Sequence, residues 1–132
     1  VRSILVRLLC LLLTALLPSA RAADPQIVSL AIGSYYFKPD TLRVIVGQPV
    51  TLDIVNQATF VPHDLVIHAP EAGVDINVDV AAGKHASVTF TPTKVGRYDM
   101  LCDKKLPFLA SHKDKGMHGI LDVVEAGSDA SR

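Results

Sequence analysis

From residue 41 onward the chain places an apolar side chain at every second position, in short runs broken by Gly and Pro. Leu42, Val44 and Val46 share one face of a first run. After Gly47-Gln48-Pro49, Val50, Leu52 and Ile54 alternate with Thr51, Asp53 and Val55. Val74, Ile76, Val78 and Val80 alternate with Asp75, Asn77 and Asp79; beyond Ala81-Ala82-Gly83-Lys84, Ala86, Val88 and Phe90 alternate with His85, Ser87, Thr89 and Thr91. Residues 97–102 and 120–124 complete the set, with 26–32 and 65–68 as weaker runs. A period of two is the mark of a strand buried on one face, and runs this short, punctuated by turn residues, predict an all-β, antiparallel chain of about seven or eight strands. Two such sheets packed face to face make a β-sandwich. The one long interruption is 103–117, where Leu106, Phe108 and Leu109 precede the polar Ser111-His112-Lys113-Asp114-Lys115. The small, polar tail 126–132 reads as a frayed end.

The first two dozen positions follow another rule. Arg2 and Arg7 form a basic start, Leu8 to Leu17 is apolar except for Thr14, Pro18 breaks the run, and Ala20-Arg21-Ala22 offers a small-x-small cleavage pattern. This reads as a signal peptide over 1–22, cleaved after Ala22, with export to the periplasm. The apolar run falls short of the roughly 20 residues that a membrane span needs, and no second apolar segment follows, so no stable membrane anchor is expected after cleavage. The mature domain is then 23–132, with its core in about 26–124.

Thirteen Lys+Arg balance thirteen Asp+Glu over the whole chain, which gives no basic face for nucleic acid. Loss of Arg2, Arg7 and Arg21 leaves a mature domain with a net charge of −3. Cys10 leaves with the signal, so Cys102 becomes a solitary cysteine in a compartment that oxidises exposed thiols. Such a thiol must be protected or used. His112 follows it by ten residues and Met117 by five more, all at or after the end of one predicted strand and before the last, and His63 opens another strand that can reach the same end. Thiolate and thioether are soft donors, and two imidazoles with one thiolate and a weak axial Met match the blue-copper arrangement. Structural zinc sites more often use four strong ligands with closely spaced pairs. Met100 is a rival thioether but shares strand parity with Cys102 and is expected to pack inward. His68 and His85 are read as structural, His118 points elsewhere if Met117 faces the metal, and Lys104, Lys105, Lys113 and Lys115 read as a solvated loop face, with the steering of an acidic partner as the alternative.

The chain resembles the cupredoxin (blue copper) family. The segments that carry the resemblance are Phe37-Lys38-Pro39-Asp40-Thr41-Leu42, Val46-Gly47-Gln48-Pro49-Val50, Asn56 followed by Pro62-His63-Asp64, Gly96-Arg97-Tyr98 leading into Cys102, and Gly116-Met117-His118-Gly119. They run in family order over about 35–124. The resemblance implies a Greek-key β-sandwich binding one copper ion, with His63 as first ligand, Cys102 as thiolate, His112 as second imidazole and Met117 as axial thioether. Two departures stand out. Nine residues separate Cys102 from His112 where the family usually has a few, and Asp64 stands where it often has an Asn that ties the ligand loops together.

The function implied is that of a monomeric single-electron carrier, not an enzyme, meeting redox protein partners near the 103–117 loop, where Leu106, Phe108 and Leu109 would form an apolar patch. Two alternatives remain open at this point: copper delivery or storage, and a small catalytic copper site with an open position.

Overall fold

The computed structural model describes residues 23–105 and 110–128; the signal reading at 1–22, the patch residues Leu106, Phe108 and Leu109, and the last four positions of the tail lie outside them. Nine strands form among the described residues: β1 (Gln26–Gly33), β2 (Tyr36–Lys38), β3 (Thr41–Ile45), β4 (Val50–Asn56), β5 (His63–Ala69), β6 (Val74–Val80), β7 (His85–Phe90), β8 (Gly96–Leu101) and β9 (His118–Val124). Eight match the predicted runs. The ninth, β2, has only three residues, too few for alternation to show.

The strands make two sheets, ordered β2-β1-β4-β7 and β3-β9-β8-β5-β6. Two pairings, β1 with β4 and β3 with β9, are parallel, whereas the alternation predicts antiparallel neighbours throughout. The pleat of a strand dictates which side chains face inward whatever the direction of its neighbour, so period two carries no information on this point. Leu30, Ile32, Leu52 and Ile54 from one sheet, and Leu42, Leu65, Ile67 and Leu121 from the other, are all buried and form the middle of the sandwich. Gln26 ties β1 to β3 across the edge: its Nε2 donates to the Ile45 carbonyl at 3.3 Å and its Oε1 accepts the Ile45 N–H at 2.9 Å.

In the second sheet β8 lies between β9 and β5 and runs antiparallel to both. The starts of β5 and β9 and the end of β8 therefore meet at one end of the sandwich. His63 is the first residue of β5, Cys102 follows the last residue of β8, and Met117 immediately precedes β9. Close packing holds this end together. A Cβ on Gly119 would lie 2.7 Å from both the Asp40 carbonyl oxygen and the Met100 methyl, so only glycine allows β9 to lie this close.

Candidate metal centre

Each donor is delivered by a different local device. The chain reaches His63 through the 57–62 loop, and buried Asn56 holds that loop: its Nδ2 donates to the carbonyls of Val61 (3.0 Å) and Val80 (2.9 Å), while its Oδ1 accepts the Ala58 N–H (2.9 Å). Asn56 sits at the inward parity of β4, so these bonds satisfy an amide that burial would otherwise penalise. His112 lies on a single helical turn closed by a reciprocal pair, with the Asp114 N–H donating to Ser111 Oγ (3.1 Å) and the Ser111 N–H to Asp114 Oδ2 (3.2 Å). That is a capping-box exchange, and Ser111-x-x-Asp114 was its readable signature. The His112 N–H donates to the Lys104 carbonyl and the Met117 N–H to the His112 carbonyl, both at 3.0 Å. Gly116, at φ +90°, makes the tight return between them.

These devices bring three donors together. Cys102 Sγ lies 3.7 Å from His63 Nδ1 and 3.4 Å from His112 Nδ1, and the two nitrogens are 3.0 Å apart. A triangle with those sides has its centre about 2.0 Å from each corner, at or just inside the roughly 2.0–2.3 Å at which imidazole nitrogen and thiolate sulfur bind a metal. His63, Cys102 and His112 are the group of potential ligands that converges among the described residues, and all three are buried. The donor set, two imidazoles and one thiolate around a metal-sized gap, fits one copper ion. The Nε2 atoms of both rings are buried without a hydrogen-bond partner.

Met117 and Met100 are both fully buried. Met100 packs against Gly119, as its strand parity predicts, and Met117 is held to His112 by the backbone bond. The other histidines lie outside the cluster. His68 pairs with Asp75 (3.1 Å), His118 with Asp99 (3.0 Å), and His85 is exposed on β7. The lysine face is only partly free of partners, since Lys104 pairs with Asp79 at 2.6 Å and Lys115 donates to the Tyr35 hydroxyl at 3.0 Å.

Tyr35 escaped the sequence reading. It occupies the β1–β2 turn at φ +68°, unusual for a tyrosine. Its ring packs edge-on to His112, 5.3 Å between centroids at 84°, and Lys115 lies over its face at 4.6 Å. Nothing short of the turn conformation would have revealed it.

The electrostatics favour metal-ready donors on the imidazole side. Burial, then the neighbouring His112, holds His63 below the usual imidazole range, while Asp64 pulls the other way. Burial, then Lys115, lowers His112, again against Asp64. Both rings are therefore kept neutral, as ligation requires. Burial pushes the Cys102 thiol up to about 11; the backbone N–H groups of Asp64 and Lys104 donate to the sulfur and oppose this, while the Asp64 carboxylate adds to it. A thiol so placed needs a cation to become a thiolate at neutral pH. Asp64 does the tying expected of the family's Asn, with its Oδ1 accepting the Asp103 N–H at 2.8 Å.

The sequence profile of the cupredoxin-like domain matches residues 5–118. No curated protein matches. Among solved structures, Na-dithionite reduced auracyanin from the photosynthetic bacterium Roseiflexus castenholzii is 22% identical with a TM-score of 0.60, covering 77% of this chain and 99% of its own. Auracyanin A, a "blue" copper protein from Chloroflexus aurantiacus, is 23% identical with a TM-score of 0.55, covering 76% and 100%. The metal-binding domain of the Cu(I) exporting P-type ATPase CopA of Streptococcus pneumoniae, solved with Cu(I), is 15% identical with a TM-score of 0.59, covering 80% and 92%. At these identities the likeness is one of fold.

Proposed function

The chain belongs to the cupredoxin-like family, and on that premise we propose that it is a periplasmic carrier of single electrons, with His63, Cys102, His112 and Met117 holding one copper ion. When bound, copper supplies one-electron exchange between Cu(I) and Cu(II). The observation that carries the reading is the buried triangle of His63 Nδ1, His112 Nδ1 and Cys102 Sγ. Its corners are fixed by a sheet, by the Asn56 bonds and by a capped turn, so the donors have little freedom to rearrange between oxidation states. The sulfur is fully buried, which keeps water from it. One electron enters from a donor protein, which is oxidised by one unit, and leaves to an acceptor, which is reduced by one; no proton or bond is exchanged.

Delivery of copper would be served by an ion open to a competing ligand, whereas His63 and His112 are 0% and 2% exposed. Burial therefore supports the carrier over the donor of metal. For docking, we place redox partners at the 103–117 loop end. Phe60, 88% exposed on the loop before His63, and Tyr35 against His112 supply apolar surface there. Brief electron-transfer encounters need less than about 1,200 Å² of contact. Export rests on the 1–22 segment; no helix among the described residues is long and apolar enough to cross a membrane.

The test is metal analysis with a visible spectrum on residues 23–132. One copper per chain, an intense thiolate-to-copper band bleached by dithionite and restored by a mild oxidant, is the expected result. A colourless protein that binds Cu(I) and surrenders it rapidly to a chelator would overturn the carrier in favour of delivery.

A further inference from the structure

We propose that Asp64, besides tying the ligand loops, sets the reduction potential of the site: its buried negative charge favours the oxidised form of the bound copper. This rests on the copper reading above. The charge balance gives the direction. With two neutral imidazoles and one thiolate, the loaded site is neutral when reduced and carries one positive charge when oxidised. A fixed anion beside it stabilises the oxidised form, and in a buried place water and salt screen it little.

The geometry puts Asp64 where that effect is large. The register that pairs Val66 with Leu101 sets Asp64 opposite Asp103, one step beyond the last ladder bond of β5 and β8. There the carboxylate, and not the main chain, takes the Asp103 N–H (2.8 Å), which plants it beside the residue that follows Cys102. Asp64 is only 6% exposed. Lys104, on the same loop, has its amine on Asp79 at 2.6 Å; it feels the charge of Asp64, but no ion pair to Asp64 forms among the described residues. Asp64 opposes the effect of burial at His63 and at His112 and reinforces it at Cys102, so its field reaches all three donors. It is not itself in the converging ligand group, which consists of His63, Cys102 and His112. An asparagine could make the same bond to Asp103 without the charge, and that separates the two roles of the residue.

The experiment compares the copper-loaded wild type with Asp64→Asn by redox titration, and Asp64→Ser serves as a second neutral variant if the first does not fold. The neutral variant keeps the visible band and shifts the potential upward by at least about 59 mV, a tenfold change in the oxidised-to-reduced ratio at fixed ambient potential. The shift persists in high salt. A variant with the wild-type potential overturns the inference while leaving the copper reading intact; a wild type that takes up no copper overturns both. A second readout needs no metal. In the copper-free protein, the Asp103 amide exchanges slowly with solvent in the wild type and in Asp64→Asn, and quickly in Asp64→Ala. Equal protection in all three would remove the carboxylate from its place beside Cys102.

Discussion

Replacement of Asn56 by alanine tests how much of the site's order is built before any ion arrives. The side chain makes three hydrogen bonds, to the carbonyls of Val61 and Val80 and from the N–H of Ala58. The Val61 contact is part-buried, so the released carbonyl finds water at little cost, but the Val80 carbonyl and the Ala58 N–H are left in a buried setting. An unsatisfied buried group costs about 1–3 kcal/mol, so two of them give a loss of about 4 kcal/mol. In a domain of about 110 residues each kcal/mol lowers Tm by roughly 4 °C, which puts the variant about 15–20 °C below the wild type. Equilibrium urea unfolding of the copper-free protein is the assay. The midpoint falls and the slope m stays constant, as expected when stability alone changes. Copper affinity falls with it, because the loop that sets His63 is released. A loss under about 1 kcal/mol would refute the reasoning, since it would mean that neighbouring groups or water satisfy what Asn56 satisfies now.

Other expectations follow from the same geometry. Cys102→Ser abolishes the thiolate-to-copper band without unfolding the domain, checked by visible absorption beside far-ultraviolet circular dichroism; a surviving band would remove Cys102 from the site. Met117→Leu keeps copper but alters its potential, and an unchanged voltammogram would show that another group fills the axial role. Gly119→Ala forces a methyl to 2.7 Å from the Asp40 carbonyl and the Met100 methyl, at about 2 kcal/mol in thermal unfolding; wild-type stability would show that β9 is free to shift. In the copper-free protein, burial lowers His63 and His112 from the ordinary 6.5. The unfolded chain then takes up protons first, so stability is full above about pH 6.5 and falls as the medium becomes more acidic. At the other limit the Cys102 thiol is raised from 9.0 to about 11, so the unfolded chain ionises first and stability falls again as pH rises through that window. A urea midpoint that stays level from pH 7 to 5 would contradict the first half.

The strands were legible because a half-buried strand must alternate, and eight of them do. Their directions were not legible, since pleating is blind to the neighbour's polarity, and β2 is too short to alternate at all. His63, Cys102 and His112 stood out because cleavage of a signal would leave Cys102 as a solitary thiol, followed in one loop by His112 and Met117, while His63 opens a strand that can reach the same end. The supports of the site were harder to see. Asn56 continues the inward face of Val50, Leu52 and Ile54, so its position looks like the polar end of a strand until the bonds to residues 58, 61 and 80 are known. Tyr35 depends on a positive φ that no glycine or asparagine announces. Lys104 and Lys115 read as solvated charge because their partners, Asp79 and Tyr35, lie 25 and 80 residues away in the chain.

His63 and His112 are 49 residues apart in the chain, yet their facing nitrogens are 3.0 Å apart. An ion gripping both works as a clasp, fastening a ring that contains four of the nine strands. On the entropy estimate used for covalent cross-links, closing a ring of that length removes about 4 kcal/mol of freedom from the unfolded chain. The bound copper would then also be the protein's fastener, and a chain that loses it would lose part of its resistance to heat and proteases in the same event.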